Sequence, residues 1–147
     1  MDTNIIVCDL DGILTDGKLN IDHKGKKLFK SFHTRDTRAI RELVSMGYEF
    51  YIVSADDWAG GPLYAEKVGA IFVCLRDKQQ IIHQLKNRPF IGIGDDSWDI
   101  PFLEKAVHAY CPADAYEGVK MVEGINIMRS NGGTGVIAEL LDVINKL

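Results

Sequence analysis

An apolar run that ends in two carboxylates constrains the fold of this chain more than any other feature. The segment Ile5–Gly12 reads IIVCDLDG. Runs of this kind are typical of strands buried on both faces of a parallel sheet. Because burying an unpaired carboxylate is costly, the pair is expected at the strand's end, facing a cation or a substrate. Taken alone, Asp9 and Asp11 could also be two solvated turn residues.

Size and composition predict one globular domain over residues 1–147, with 46% hydrophobic and 26% charged residues. The formal net charge of -4 argues against nucleic acid or an anionic membrane as the main partner. No apolar run approaches the roughly 20 residues of a membrane span, and no signal-peptide pattern is present. The three cysteines are widely spaced, which favours free thiols in a reducing cytoplasm over a disulfide framework.

Strand and helix patterns alternate along the chain, which predicts an α/β fold with a parallel sheet covered on both faces by helices. After the first strand, two short runs on either side of a turn at 23–25 predict a β-hairpin. Further strands are expected at 50–53, 71–73, 90–93, 108–110 and 125–127. Helices are expected at 36–46, 63–68, 78–86 and 101–107, and at the end of the chain.

Polar residues follow the successive predicted strands, and open parallel sheets place their active sites beyond these carboxyl ends. Individually, the hydroxyl could cap a helix, the lysine could be solvated and the second acidic pair could be a turn. Their recurrence at strand ends favours one shared site. In chain order the residues are Asp9 and Asp11, then Ser54, then Lys78, then Asp95 and Asp96.

The chemistry of this set points to phosphoryl transfer. Carboxylates suit magnesium, which also accepts a substrate phosphate. A carboxylate can attack phosphorus to give an aspartyl-phosphate, and a second acid can protonate the leaving oxygen and then activate water. A lysine, a hydroxyl and a metal would neutralise the transferred group.

Four stretches resemble, in this order, the motifs of haloacid-dehalogenase-type phosphatases: Asp9–Gly17 (DLDGILTDG), Ser54, Lys78 and Gly94–Asp96 with Asp99. Other stretches resemble the capless 3-deoxy-octulosonate 8-phosphate phosphatase subfamily: Thr15–Gly17, the hairpin, Phe32–Asp36 (FHTRD) and Gly132–Gly135 (GGTG). This resemblance implies a three-layer, Rossmann-like domain with a hairpin flap at about 17–30 and no large cap domain. Similar domains act on nine-carbon sugar-acid phosphates or are fused to cytidylyltransferases.

The resemblance also implies a role for each catalytic residue. Asp9 would be the nucleophile, and Asp11 would be the general acid and then the general base. Ser54 and Lys78 would bind the transferring phosphoryl group.

A magnesium ion would be held by the Asp9 carboxylate, the Asp11 backbone carbonyl and Asp95. Asp99 would orient the lysine, and Asp96 would act through water or behind the metal ligands. Members of this subfamily form tetramers in which neighbours close the active site, which implies a homotetramer here.

In such a tetramer the terminal glycine-rich segment, including Gly132 and Gly133, would reach the adjacent pocket, although it could equally be a helix-entry turn. Arg35 could bind a substrate carboxylate through two hydrogen bonds or pair with an acid such as Asp36.

Two departures from the family pattern bear on the substrate. The family commonly has glycine and arginine after the second-motif hydroxyl, where this chain has Ala55 and Asp56. A carboxylate there would repel an acidic sugar, bind hydroxyls or an amine, or lie on the surface. Trp98 replaces a usual asparagine and is expected to pack under the loop rather than stack on a sugar.

The sequence therefore predicts a magnesium-dependent phosphomonoesterase acting on a small phosphorylated sugar or sugar acid. The candidates are 3-deoxy-octulosonate 8-phosphate-like or nine-carbon sugar-acid phosphates. The alternative is a weakly catalytic or non-catalytic assembly domain of a sugar-nucleotide pathway, and the intact Asp9, Asp11, Lys78 and Asp95 weigh against it. A phosphoacceptor signalling domain is disfavoured because the third strand leads into Cys74 and Leu75, with no acceptor aspartate.

Overall fold

A computed structural model describes residues 2–147 of the chain. Its centre is a sheet of six strands: β1 (Ile5–Asp9), β2 (Glu49–Ser54), β3 (Ile71–Cys74), β4 (Ile91–Ile93), β5 (His108–Cys111) and β6 (Asn126–Ile127). All pairings are parallel, and the strand order is β3-β2-β1-β4-β5-β6. The predicted parallel sheet is confirmed, and its order reverses between β1 and β4, where open sheets bind their ligands.

Helices cover both faces of the sheet: α1 (Thr34–Ser45), α2 (Gly60–Val68), α3 (Ile81–Gln84), α4 (Ile100–Leu103), α5 (Glu117–Lys120) and α6 (Val136–Asn145). Strand β1 serves both cores because its side chains alternate between the faces. Ile6 and Cys8 pack in the core with α1, α2 and α6. Ile5 and Val7 pack in the core with α3, α4 and α5. The three-layer arrangement follows directly.

The helices expected at 78–86 and 101–107 are shorter than predicted. Each follows a 3-10 turn, at Lys78–Gln80 before α3 and at Ser97–Asp99 before α4. Helix α3 ends before residue 86 because Lys86 and Asn87 adopt positive φ angles of 53° and 59°. The two 3-10 turns face each other, since Lys78 Nζ lies 2.8 Å from Asp99 Oδ1.

The sequence offers Thr34 or Asp36 as a cap for the start of the first helix, but neither caps it, and Asp36 caps the last helix. His33 caps α1, where its Nδ1 accepts a hydrogen bond from the Arg35 amide. The fully buried Asp36 Oδ1 accepts from the amides of Ile137 and Ala138 at the start of α6, at 2.9 and 3.1 Å. Helix N-termini leave such amides without partners, so this carboxylate ties the carboxyl-terminal helix to α1.

The flap at 17–30 folds back on itself without forming the two predicted strands. Ile21 and Lys27 form a single antiparallel bridge, and the Leu28 amide donates to the Asn20 carbonyl at 2.9 Å. Within residues 2–147 no large cap domain interrupts the sheet, as expected. None of the helices described over 2–147 has the length and apolarity to cross a membrane.

Candidate active site

The carboxyl ends of the central strands open into one cavity of about 700 Å³. Parallel strands place these ends at the same edge, and the reversal of strand order between β1 and β4 leaves room between the following loops. The lining contains the residues predicted from the strand ends together with others: Asp9, Asp11, Ser54, Ala55, Asp56, Arg76, Lys78, Asp95, Asp96 and Trp98.

Asp9 and Lys78 line the cavity and, together with Asp99, form an inner triad of buried residues, here called the floor. Lys78 Nζ lies 2.7 Å from Asp9 Oδ1 and 2.8 Å from Asp99 Oδ1. The second oxygen of Asp99 accepts from the amides of Asp95 and Asp96, at 2.9 and 3.2 Å. Asp99 therefore holds both the lysine and the loop after β4.

Burial and the repulsion between neighbouring carboxylates shift the pKa values of the residues in and beside the floor. Burial, reinforced by the charges of Asp99 and Asp95, raises the pKa of Asp9 well above its usual value, against the attraction of Lys78. Burial favours the neutral amine of Lys78, but the carboxylates of Asp9 and Asp99 raise its pKa overall. Burial, with the charges of Asp99 and Asp96, raises the pKa of Asp95 to about 6. Among these groups the carboxylates outnumber the ammonium, so the floor is short of positive charge.

This deficit fits a divalent cation. Oxygens of Asp9, Asp95 and Asp99 lie within 4.8 Å of one another, and Asp95 Oδ1 is buried without a hydrogen-bond partner. Both oxygens of Asp99 already accept hydrogen bonds, which leaves Asp9 and Asp95 as the better ligands. Gly12 has φ +87°, and a Cβ there would collide with the Asp95 carboxylate. Hard carboxylate oxygens in this arrangement suit magnesium.

Asp11 occupies the more open side of the cavity, with its side chain 39% exposed. Its Oδ1 accepts from the Thr15 hydroxyl at 3.1 Å, and its Oδ2 accepts from Lys30 Nζ at 2.8 Å. Lys30 was not among the residues predicted from the sequence. Nothing in the sequence marks it, because it is one of several lysines in the flap and reaches the site only through the flap's path.

Lys27, Lys30 and Asp56 form a second cluster of charges, the flap contact group. Lys27 Nζ and Lys30 Nζ lie 3.0 and 3.1 Å from Asp56 Oδ2. Partial burial favours the neutral acid, but the two ammonium groups lower the pKa of Asp56 overall. Asp56 thus carries a charge that the flap balances, and the expected repulsion of an acidic sugar loses its basis.

Ser54 and Asp96 lie where the sequence predicts them. Ser54 is buried, and its Oγ accepts from the Asp56 amide at 3.0 Å. Asp96 caps the following 3-10 turn through the Ser97 amide and also lines the cavity.

Two residues beside the cavity differ from expectation. Trp98 does not pack under its loop, since it is 72% exposed at the cavity edge. Arg76, which the sequence reasoning missed, lines the same cavity from the loop after β3. A cation two residues before Lys78 was the available signal for it.

Arg35, Gly132 and Gly133 do not line this cavity. Arg35 lines a separate cavity beside α6. The amides of Gly132 and Gly133 donate to Asp114 Oδ1 and to the Ile13 carbonyl, at 2.9 and 2.8 Å. A Cβ on Gly133 would lie 2.7 Å from the Asp16 amide nitrogen, so the glycine-rich segment supports the loop after β1 of its own chain.

No protein-family model matches this sequence. A 3-deoxy-D-manno-octulosonate 8-phosphate phosphatase, KdsC of Haemophilus influenzae, is 28% identical over 150 residues, covering 95% of this chain and 81% of that protein. The cobalt-bound structure of the deoxy-D-mannose-octulosonate 8-phosphate phosphatase from the same organism has a TM-score of 0.86 at 27% identity, covering 97% of this chain and 87% of that one.

Two further structures share the fold over 97% of this chain. A Legionella pneumophila protein assigned to the haloacid dehalogenase superfamily has a TM-score of 0.87 at 28% identity, with 82% of that chain covered. The Moraxella catarrhalis 3-deoxy-D-manno-octulosonate 8-phosphate phosphatase, in complex with magnesium, phosphate and KDO, has a TM-score of 0.88 at 23% identity, with 86% of that chain covered.

The chain therefore resembles haloacid-dehalogenase-type phosphatases, and 3-deoxy-D-manno-octulosonate 8-phosphate phosphatase in particular, in three respects: its parallel fold without a large cap domain over residues 2–147, the order of its acidic and basic residues, and these similarities in sequence and structure.

Proposed function

We propose that this protein is a magnesium-dependent phosphomonoesterase that hydrolyses a small phosphorylated sugar or sugar acid through an aspartyl-phosphate. The observation that carries the proposal is the inner triad, in which a buried lysine holds Asp9 at 2.7 Å beside a cluster of carboxylates. A buried ion pair at a sheet edge is costly to assemble and is worth most where it stabilises charge in a transition state.

In the first step, a carboxylate oxygen of Asp9 attacks phosphorus while the bond to the leaving oxygen breaks. The Asp9 Oδ1 atom accepts from Lys78 and from the Leu10 amide, whereas Oδ2 accepts neither of these bonds and is suited to attack. Asp11, which follows at the same strand end, gives a proton to the leaving oxygen.

In the second step, water attacks the phosphorus of the aspartyl-phosphate. Asp11 takes a proton from this water, and the bond between phosphorus and Asp9 breaks. Inorganic phosphate is released and the Asp9 carboxylate is regenerated. Lys78 and Ser54 bind the transferring phosphoryl group, since both line the cavity beside Asp9. Asp99 keeps Lys78 in place at 2.8 Å.

Asp9 and Asp95, with the Asp11 backbone carbonyl, would hold the magnesium ion, and Asp96 would act behind them. A bound magnesium ion neutralises charge that develops on the phosphoryl oxygens. The unpartnered, buried Asp95 Oδ1 and the shortage of positive charge in the cavity floor support this assignment.

The proposed substrate is 3-deoxy-octulosonate 8-phosphate-like or a nine-carbon sugar-acid phosphate, and the names of the relatives support the first. Balanced by Lys27 and Lys30, Asp56 does not oppose an acidic substrate. Arg76 lines the cavity, where its guanidinium would attract an acidic group.

We further propose a single domain over 1–147 that assembles into a cytoplasmic homotetramer. The exposed apolar flap residues Leu19, Ile21 and Phe29 support assembly, because faces of this kind are usually covered by a partner. Arg35, Gly132 and Gly133 would contribute to substrate binding only in such an assembly, since they lie outside the cavity of their own chain. Light scattering across a concentration series measures the oligomeric state.

The test of the function is magnesium-dependent phosphate release from a panel of sugar phosphates, including 3-deoxy-octulosonate 8-phosphate and nine-carbon sugar-acid phosphates. We expect release by the wild type and a loss of at least about 10³-fold in Asp9→Asn, because removing a covalent nucleophile removes the reaction path. Equal release by the wild-type protein and Asp9→Asn on every substrate would contradict the proposal and favour the non-catalytic assembly domain. Rapid quench should trap one phosphoryl group on Asp9.

A further inference from the structure

Lys30 is a buried cation that the two-step reaction above leaves without a role. Its side chain is 8% exposed, and its Nζ lies 2.8 Å from Asp11 Oδ2 and 3.1 Å from Asp56 Oδ2. The same atom lies 5.1 Å from the centre of the Trp58 ring, within the range of a cation–π contact. Ordering and desolvating a lysine is costly, so this convergence of partners calls for a reason.

The Asp11 carboxyl group is held from both sides. Its Oδ1 accepts from the Thr15 hydroxyl at 3.1 Å, and that hydroxyl in turn accepts from the Gly17 amide at 3.2 Å. Its Oδ2 accepts from Lys30 at 2.8 Å. One oxygen is thus fixed by the loop after β1, while the other is fixed only through the flap.

The position of Lys30 is defined by the sheet as well as by the flap. Asp56 Oδ1 accepts from the Trp58 amide at 3.2 Å, and the Asp56 amide donates to Ser54 Oγ at the end of β2. The Asp56 carboxylate is therefore fixed by the backbone that follows β2, and it offers Oδ2 to the lysine. Asp56 and the Trp58 ring form a socket for the ammonium.

We propose that Lys30 is a positioning residue for phosphoryl transfer, which holds the Asp11 carboxyl group in the orientation that protonates the leaving oxygen. The proposal deepens the proposed function and rests on it. Proton transfer needs donor and acceptor within about 2.6–3.2 Å. Without Lys30, the Thr15 hydroxyl is the remaining hydrogen-bond partner of the Asp11 carboxyl group among residues 2–147.

The charge of Lys30 acts in the same direction as its geometry. As the bond from phosphorus to the leaving oxygen breaks, the proton moves from Asp11 to that oxygen, and the neutral acid becomes a carboxylate. The ammonium at 2.8 Å stabilises this anion as it forms. Asp56 keeps the ammonium at that place while its own charge is balanced by Lys27.

The test exploits the fact that a poor leaving group needs the proton more than a good one. Phenyl phosphate releases phenolate, which is as basic as a tyrosine side chain, with a pKa of about 10. Release of 4-nitrophenolate needs little protonation because the nitro group stabilises the anion. The kcat and KM values for both compounds are measured with magnesium in wild type, Lys30→Met, Lys30→Arg and Asp11→Asn.

We expect Lys30→Met to lower kcat for phenyl phosphate by roughly tenfold to a hundredfold, within the range of general acid catalysis. The same substitution should lower kcat for 4-nitrophenyl phosphate by less than about threefold, because that step bypasses the acid. Asp11→Asn should show the same difference between the two substrates, with a larger loss of kcat for phenyl phosphate. Lys30→Arg should recover part of the kcat that Lys30→Met loses. Lys27→Met is the matched control, because Lys27 binds the same Asp56 oxygen without reaching Asp11.

An equal loss of kcat on both substrates in Lys30→Met, or a rise in KM alone, would overturn the positioning role and leave the phosphatase proposal intact. If Lys30→Met does not fold, Asp56→Asn keeps the lysine but removes its charged anchor, and it should show a smaller split in the same direction. Equal effects of Asp56→Asn on both substrates would also overturn the role. A wild type inactive on both aryl phosphates and on the sugar phosphates would overturn the proposed function and this inference together.

Discussion

Two groups of ion pairs lie at the active-site cavity, which is lined by Asp9, Lys78 and Asp56 among their members, and the two groups differ in how exposed they are. The inner triad of Asp9, Lys78 and Asp99 is buried under the carboxyl ends of β1, β3 and β4. The flap contact group is more open, since the side chains of Lys27 and Asp56 are 49% and 21% exposed. Charges attract more strongly in the dry interior than at the surface, where water and salt screen them.

This difference separates two tasks within one cavity. The triad joins three segments of the core, so breaking it would leave charges buried without partners. The flap contact group joins a flap with a single antiparallel bridge to the loop after β2. Water can replace its half-exposed Lys27 contact at little cost, whereas the Lys30 side chain is as shielded as that of Lys78, each being 8% exposed. The inner triad is therefore expected to be the firmer of the two groups.

The largest effect is expected from removing the cation of the floor. Lys78→Met should lower the free energy of unfolding by about 3–5 kcal/mol, because it leaves Asp9 and Asp99 buried without their counter-ion. Urea denaturation in metal-free buffer measures the change, with Lys27→Met as the control that removes a half-exposed lysine. A loss below about 1 kcal/mol would show that the triad contributes no more to the free energy of unfolding than a surface ion pair does.

The pH dependence of stability tests the shortage of positive charge in the floor. The folded-state pKa of Asp95 is about 6, against about 3.9 for an unperturbed aspartate. The folded protein therefore binds a proton more tightly than the unfolded chain does. This contribution is fully present below about pH 4 and is lost as the pH rises through about 6, by up to about 3 kcal/mol.

Thermal unfolding in EDTA should accordingly show a higher midpoint at pH 5 than at pH 7.5. Asp95→Asn should reduce the difference, because an amide does not titrate, while Asp9, whose pKa is also raised, keeps part of it. Excess magnesium should raise the midpoint mainly at pH 7.5, since a cation binds the ionised carboxylates. A wild-type pH profile that matches the profile of Asp95→Asn would show that the floor is not short of positive charge.

The smallest effect on stability is expected at the flap. Asp56→Asn should change the free energy of unfolding by no more than about 1 kcal/mol, the range of partly exposed ion pairs. Trypsin should nevertheless cut the flap faster, because Lys27 and Lys30 lose their shared anchor on the loop after β2. Mass spectrometry of the early fragments would locate the cuts at 24–27.

Asp57→Asn is the matched control, since it removes the neighbouring charge from an exposed side chain that forms no ion pair within residues 2–147. Equal trypsin rates for Asp56→Asn and Asp57→Asn would show that Asp56 does not anchor the flap. A large loss of stability in Asp56→Asn would instead show that the flap contact group is held as firmly as the inner triad.

The two groups also differ in how far the sequence predicted them. The apolar runs indicated the strands, the alternation indicated the parallel order, and the strand ends then brought Asp9, Ser54, Lys78 and Asp95 to one edge. The family resemblance added Asp99 as the partner of Lys78, and their atoms lie 2.8 Å apart. These positions follow from regular backbone geometry, in which a residue's place in a strand sets its place in space.

The path of the flap does not follow from the sequence, because the flap has no regular periodicity of apolar residues. Leu19, Ile21 and Lys27 to Phe29 suggested two strands, but a single bridge forms between Ile21 and Lys27. An isolated two-stranded hairpin is marginally stable, so contacts with Asp11 and Asp56 decide where the segment lies. The prediction for Trp98 was wrong for a related reason, because an aromatic residue in a loop carries no signal of burial.

The sequence by itself determined the parallel sheet, the edge at which the chemistry collects and the acids and lysine of its floor, because strand direction and burial are written in local patterns of apolar residues. Only the tertiary structure decided which cation meets which carboxylate. Lys30 reaches Asp11 across 19 residues and Asp56 across 26, and Asp36 caps a helix 101 residues away. Such pairings depend on the path of the loops between them, and that path is set by packing of the whole chain.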